Sequence, residues 1–191
     1  HEHINSVFAV SPDEVFAVGN EGLLVHTEDG GNTWHKLSTG IIAKFTDVQF
    51  VSRDEGWIVG EFEYILHSMD RGRTWSSVHG GESVPLDLSQ LDDGEVVDED
   101  FGMEEEVYTL QSLYFVNPQT GWTVGEAGLI LNTVDGGRTW EKQDSGTDFM
   151  LMDVDFFSEN IGFTVGTGNT ILRTVDGGKT WKREATAKNT K

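Results

Sequence analysis

The stretch TVDGGRTW, Thr133 to Trp140, returns as TVDGGKTW from Thr174 to Trp181, with one basic residue exchanged for another. TEDGGNTW begins at Thr27 and SMDRGRTW at Ser68, so one pattern, Ser/Thr-x-Asp-x-Gly-x-Thr-Trp, occurs four times. Its Asp stands at Asp29, Asp70, Asp135 and Asp176, giving spacings of 41, 65 and 41 residues. The middle spacing is one repeat plus 24 residues, and the extra residues fall between Trp75 and Ser112. A fixed period of this length is the signature of a repeat architecture.

Working outward from the octapeptide, four strand-like runs line up in every repeat. The first reads INSVFAV, FTDVQFV, LQSLYFV and LMDVDFF, with partial alternation of apolar and polar residues. The second reads EVFAVG, GWIVG, GWTVG and GFTVG, closing on Gly19, Gly60, Gly125 and Gly166. The third reads LLVHT, YILHS, LILNT and TILRT, and the fourth begins at the repeated Trp. Four strands in about 41 residues make one propeller blade. The expectation is an all-β propeller of four blades of four antiparallel strands, at about 4–38, 42–79, 107–144 and 148–184, within one domain over 1–191. An acidic insertion of about 80–106 separates the second and third blades. A compact, closed disc of four is favoured over an arc, because an arc exposes apolar blade faces.

Between the third and fourth strands the chain must reverse within a few residues. Asp-x-Gly suits that reversal: the carboxylate braces nearby backbone amides and Gly tolerates positive φ. The Ser or Thr two residues earlier adds a local hydrogen bond. Trp34, Trp75, Trp140 and Trp181 supply large rings for packing over the hairpin or against a neighbour. These Asp and Trp residues are read as structural, since carboxylates on four separate hairpins do not converge on one catalytic or metal point.

These motifs identify the chain as similar to Asp-box, or bacterial neuraminidase repeat, proteins. The fuller units TDVQFVSRDEGWIVG and GWTVGEAGLILNTVDGGRTW resemble the photosystem II assembly and stability factor family of plants, cyanobacteria and many non-photosynthetic bacteria. The resemblance implies a propeller, commonly of seven blades, acting as a non-catalytic binding or assembly scaffold. It also implies an arginine-bearing surface that meets a photosystem precursor. Here Arg71, Arg73 and Arg138 sit inside Asp-box hairpins, leaving only Arg53, Arg173 and Arg183.

Composition narrows the partners. The formal charge of -20 from 13 basic and 33 acidic residues opposes nucleic-acid binding, which draws on Lys and Arg. From His79 to Glu106 there are 11 Asp or Glu and no Lys or Arg. The chain has no Cys, which excludes thiolate chemistry. No run of 18 apolar residues occurs, so no membrane insertion is expected. His1 stands where an initiator Met would, and a removed signal peptide is one explanation; an exported protein, periplasmic, extracellular or lumenal, is expected.

In a propeller the loops joining strands two and three share a rim with the blade-to-blade connections, opposite the Asp-boxes. That rim is expected to display Glu21, Glu61, Glu63 and Glu126, joined by Asp92, Asp93, Asp98, Glu99 and Asp100 of the insertion. An acidic face of this kind is suited to a protein partner, in particular a basic segment steered by clustered charge. No cofactor, catalytic set or metal site is assigned, and LDDGEVVDEDFG matches no EF-hand loop. The rival reading is a carbohydrate-active propeller, sialidase-like or of another glycoside hydrolase type. It would use paired carboxylates such as Glu61 with Glu126, or Tyr114 near Asp155. His26 and His67 occupy equivalent third-strand positions, and Ser6, Asp47, Ser112 and Asp153 occupy equivalent positions on innermost strands, where they line a channel.

Overall fold

The computed structural model describes residues 3–81 and 107–185. Four sheets run in chain order: β1 Ile4–Ala9, β2 Val15–Gly19, β3 Leu24–Thr27 and β4 His35–Leu37 form the first. β5 Phe45–Phe50, β6 Gly56–Gly60, β7 Ile65–Ser68 and β8 Ser76–His79 form the second. β9 Leu110–Asn117, β10 Thr120–Gly125, β11 Ile130–Thr133 and β12 Glu141–Gln143 form the third, and β13 Leu151–Phe156, β14 Gly162–Gly166, β15 Thr170–Thr174 and β16 Lys182–Arg183 the fourth. Each sheet is a meander of antiparallel neighbours, as the repeats predict. The fourth strand starts one residue beyond the repeated Trp, which belongs to the turn.

Each innermost strand carries a register irregularity near its start, between Ile4 and Ser6, Phe45 and Asp47, and Leu151 and Asp153, and opposite Val124 and Gly125 in the third sheet. A bulge bends the strand and re-aims one side chain. The re-aimed residues reach the next blade: Asn5 Nδ2 donates to Phe45 O at 2.8 Å and Thr46 Oγ1 to Leu110 O at 2.6 Å. Opposite the bulges stand the closing glycines, where a Cβ would run into main-chain oxygens of His3, Lys44, Thr109 and Met150. Close approach of two backbones is what demands glycine there.

The blades pack face to face, β1 on β5, β5 on β9 and β9 on β13. The central blades are buried on both faces, so that all five residues of β6 are inaccessible. One plan repeats at the seams. Phe16 stacks on Phe50 at 4.4 Å, Trp57 on Phe115 at 4.8 Å and Trp122 on Phe156 at 3.5 Å between ring centroids. The Asp-box Trp then meets that second ring edge-on: Trp75 on Phe50, Trp140 on Phe115 and Trp181 on Phe156.

Among the described residues no comparable packing joins the fourth sheet back to the first. Over the described residues the four blades therefore form an open arc and not the expected closed disc. Its end faces are apolar and exposed, at Ile4, Val7 and Trp34 on one end and Met152, Phe163 and Val165 on the other. No helix among the described residues is long and apolar enough to cross a membrane.

Candidate functional site

The two rims sort as propeller connectivity requires. On one, Asp-box amides donate to the loop joining strands one and two: Gly30 N to Asp13 O, Arg71 N to Asp54 O, Gly136 N to Gln119 O and Gly177 N to Asn160 O. On the other, tight turns at Asn20–Gly22, Glu61–Glu63 and Glu126–Gly128 bond to the chain entering each blade, through Asn20 N to His3 O, Glu61 N to Lys44 O and Glu126 N to Thr109 O. This second rim is the candidate partner surface.

The acidic residues of that rim divide by task. Glu21 is exposed, at φ 57 in the left-handed region. Glu61 Oε2 accepts the Lys44 N–H at 2.8 Å and Glu126 Oε2 accepts the Thr109 N–H at 2.9 Å. Both are braces, each holding the start of its own blade, and Asn20 and Thr167 stand at the equivalent positions. Glu63 clamps the two chain ends that flank the insertion. Its N–H donates to Tyr108 O at 2.9 Å, its Oε1 accepts the Tyr108 N–H at 3.2 Å, and its Oε2 lies 3.5 Å from His79 Nε2. Burial alone would raise the Glu63 carboxyl, but the His79 and Tyr108 donors outweigh it and hold the group below its ordinary value. Asp92, Asp93, Asp98, Glu99 and Asp100 lie outside the described residues.

The innermost strands carry a hydrogen-bonded girdle. Ser6 Oγ donates to Asp47 Oδ1 at 2.7 Å, and Ser112 Oγ lies 3.3 Å from Asp47 Oδ2 and 3.0 Å from Asp153 Oδ1. The Val48 and Leu113 N–H groups also donate to Asp47, at 2.9 and 3.0 Å. Burial raises the Asp47 carboxyl despite these donors. With both oxygens filled from within the protein, Asp47 is a tie between blades. Tyr114 meets Asp155 as the alignment suggests; burial and that carboxylate raise the Tyr114 hydroxyl.

The Asp-boxes are built identically. Asp29 Oδ1 accepts from Thr27 Oγ1 and Thr33 N, both at 2.8 Å, and Oδ2 accepts from Thr33 Oγ1 at 2.7 Å. Thr27 Oγ1 in turn accepts the Gly31 N–H at 3.0 Å. The same bonds recur around Asp70, Asp135 and Asp176.

Glu14 and Glu55, which sequence reasoning passed over, face His26 and His67 at equivalent positions of the first two blades, 3.7 and 3.1 Å apart. Aligning the strand-two starts against the third-strand histidines would have exposed this pairing. Glu14, His26 and Glu28 form the one mixed ligand set among the described residues, with ligand atoms within 4.8 Å of one another. Arg53 Nε already sits 3.1 Å from Glu14 Oε2 and supplies the countercharge a cation would bring. The other arginines are dispersed: Arg71 pairs with Asp54, Arg173 lies over Phe163, and Arg183 donates to Gly168 O. They form no sialidase-type cluster.

Known proteins agree with this architecture. The structure of YCF48 bound to a D1 peptide superposes with a TM-score of 0.70 at 20% identity, covering 98% of this chain and 55% of that one. YCF48 from Cyanidioschyzon merolae gives 0.67 at 21% identity, covering 98% and 57%. An ancestral GH74 enzyme gives 0.69 at 13% identity, covering 97% and 24%, a likeness of fold alone. The chain thus spans little more than half the length of the YCF48 structures. No curated protein matches it by sequence. The family described as photosynthesis system II assembly factor YCF48 matches residues 2–99 and 140–191. With its Asp-boxes, blade seams and matched residues in agreement, the chain belongs to the YCF48 photosystem II assembly factor family.

Proposed function

We propose that this chain is a non-catalytic binding and assembly scaffold, one domain over 1–191, that presents the tight-turn rim to a protein partner. The observation that carries the reading is family membership, together with a relative solved with a peptide bound. The rim is rigid: each turn is tied to its blade entry by a main-chain bond, and two of them also by a carboxylate brace. Loops held on such a scaffold are where binding residues concentrate. The partner class is an extended basic segment, docked on Glu21 and the acidic insertion of about 80–106, including Asp92, Asp93, Asp98, Glu99 and Asp100. An exported location, in a periplasm or lumen, goes with this reading through the family.

The glycoside hydrolase alternative gains nothing beyond shared fold. Its candidate pair, Glu61 and Glu126, is engaged by backbone N–H donors in both members. The test is fluorescence anisotropy of labelled Lys/Arg-rich and Asp/Glu-rich peptides of equal length, titrated with the full chain. The basic peptide should bind, weaken with salt as exposed charge pairs do, and weaken further on Glu21→Lys or deletion of residues 82–106. Equal binding of both peptides, or of neither, overturns the reading. Release of reducing sugar from a glycan panel would move the assignment to the enzyme class.

A further inference from the structure

The first blade departs from its copies at one spot on the Asp-box rim. Glu14 immediately precedes β2, His26 lies on β3, and Glu28 enters the Asp-box turn. Their equivalents are Glu55, His67 and Met69 in the second blade, Thr120, Asn132 and Val134 in the third, and Ile161, Arg173 and Val175 in the fourth. Among the described residues, only the first blade brings an imidazole and two carboxylates together, with one ligand atom from each within 4.8 Å of the others.

The histidine–glutamate pair itself differs between the two blades that carry it. In the second, His67 Nε2 and Glu55 Oε1 hydrogen-bond at 3.1 Å and satisfy each other. In the first, His26 Nε2 stands 3.7 Å from Glu14 Oε1, and this buried ring nitrogen has no hydrogen-bond partner. Both side chains are enclosed, Glu14 6% and His26 12% exposed, and stacking on Phe16 at 4.1 Å fixes the plane of the imidazole. A buried polar atom left without a partner calls for a ligand.

The spacing fits one. Two ligands on a tetrahedral ion with bonds of about 2.1 Å lie about 3.4 Å apart, longer than a good hydrogen bond and close to the 3.7 Å separation found here. From the loop joining β5 and β6, Arg53 Nε takes the other Glu14 oxygen at 3.1 Å and so aims Oε1 at the imidazole. Hydrogen-bonded carboxylates of this kind orient metal ligands. The arginine offsets one carboxylate of the two. Glu28 is exposed, with room to close in as the third ligand and for water to complete the shell. Asp29 beside it is engaged, both of its oxygens being filled by Thr27 and Thr33.

We propose that Glu14, His26 and Glu28 bind one divalent transition-metal ion of the zinc class, through His26 Nε2 and one oxygen of each glutamate. A set of one imidazole nitrogen and two carboxylate oxygens suits zinc better than calcium or magnesium, which take oxygen ligands. The ion acts as a fastening. It joins the strand-two entry, the third strand and the Asp-box turn of the first blade, and Arg53 carries the tie to the second. The site lies on the rim opposite the peptide-docking turns and does not depend on that reading.

Isothermal titration of the full 191-residue chain, stripped by chelator, with zinc chloride tests it. Glu28→Met and His26→Asn introduce side chains that the second and third blades carry at the same positions, so both variants should keep the wild-type circular dichroism. The wild type should take up one zinc ion per chain and melt at a higher temperature with it. Glu28→Met should weaken that uptake by at least about tenfold and His26→Asn should abolish it, whereas deletion of residues 82–106 should leave it intact. A wild type that takes up no zinc overturns the proposal. Uptake that survives both substitutions, or that is lost on deleting 82–106, also overturns it and moves the metal elsewhere on the chain.

Discussion

Ser6 and Asp47 stand one repeat apart, at the same position of consecutive innermost strands, and their side chains bond at 2.7 Å. The repeat thus supplies both a blade and the tie to its neighbour. Asp47 gathers four donors from three blades, Ser6, Val48, Leu113 and Ser112. Asp47→Ala strands the Leu113 N–H and should cost about 2–4 kcal/mol, from the lost bonds and an unsatisfied buried donor. Ser6→Ala removes one bond and should cost about 1 kcal/mol. Urea midpoints at pH 7 measure both, and equal effects would refute the hub role.

Acid should loosen the hairpins. Asp29, Asp70 and Asp135 are held at about 2, against an ordinary 3.8, by Thr hydroxyl and backbone N–H donors, and Asp176 is lowered likewise. A carboxyl depressed in the folded state adds stability above its unfolded value and loses it as pH falls toward the folded one. The melting temperature is expected to fall between about pH 4 and pH 2, and Asp70→Asn should flatten that slope. Asp47, raised by burial, acts in the opposite sense: its stabilising effect is present below its unfolded value and fades as pH rises through its folded one. Thermal scans from pH 2 to 7 on Asp70→Asn and Asp47→Ala separate the two.

Identical glycines of the Asp-box should differ in tolerance. Gly31 and Gly137 hold the same place in the turn, at φ 88 and φ 75. A Cβ on Gly31 meets only the Trp34 side chain at 3.7 Å, whereas one on Gly137 would fall within the Trp57 ring of the preceding blade. Gly31→Ala should cost about 1–2 kcal/mol, the strain of a left-handed residue. Gly137→Ala adds overpacking of about 1–3 kcal/mol. Chemical denaturation of the two variants decides it, and equal losses would show that the turn alone needs the glycine.

Strand content, order and the Asp-box bonds were legible because each repeats with the 41-residue period, so four copies vote on one alignment. Closure was not legible. Phe163 and Phe16 look alike in sequence, and only packing reveals that one ring is covered and the other bare. The local role of the rim acids was hidden for a related reason: residue type places Glu61 and Glu126 on the rim, but does not show that one oxygen of each accepts a backbone N–H group 17 residues away. The pairing depends on how closely the turn approaches the blade entry, which residue type does not record.

Glu63 offers the clearest local test of that lesson, because it occupies the place held by Gly22 and Gly128 yet adopts φ 54 as a non-glycine residue. Left-handed strain of about 1–2 kcal/mol persists there because the side chain holds Tyr108 N–H and faces His79. Glu63→Gly should therefore relieve strain while releasing the clamp, leaving global stability within about 1 kcal/mol of the wild type, since the two effects have opposite signs. Glu63→Ala keeps the strain, loses the clamp and should cost about 1–2 kcal/mol. Amide exchange at Tyr108 distinguishes release from simple unfolding: both variants should lose protection there while Leu66 and Leu131 keep theirs. Retained protection at Tyr108 in either variant would mean that the main-chain bond alone holds the flanks together.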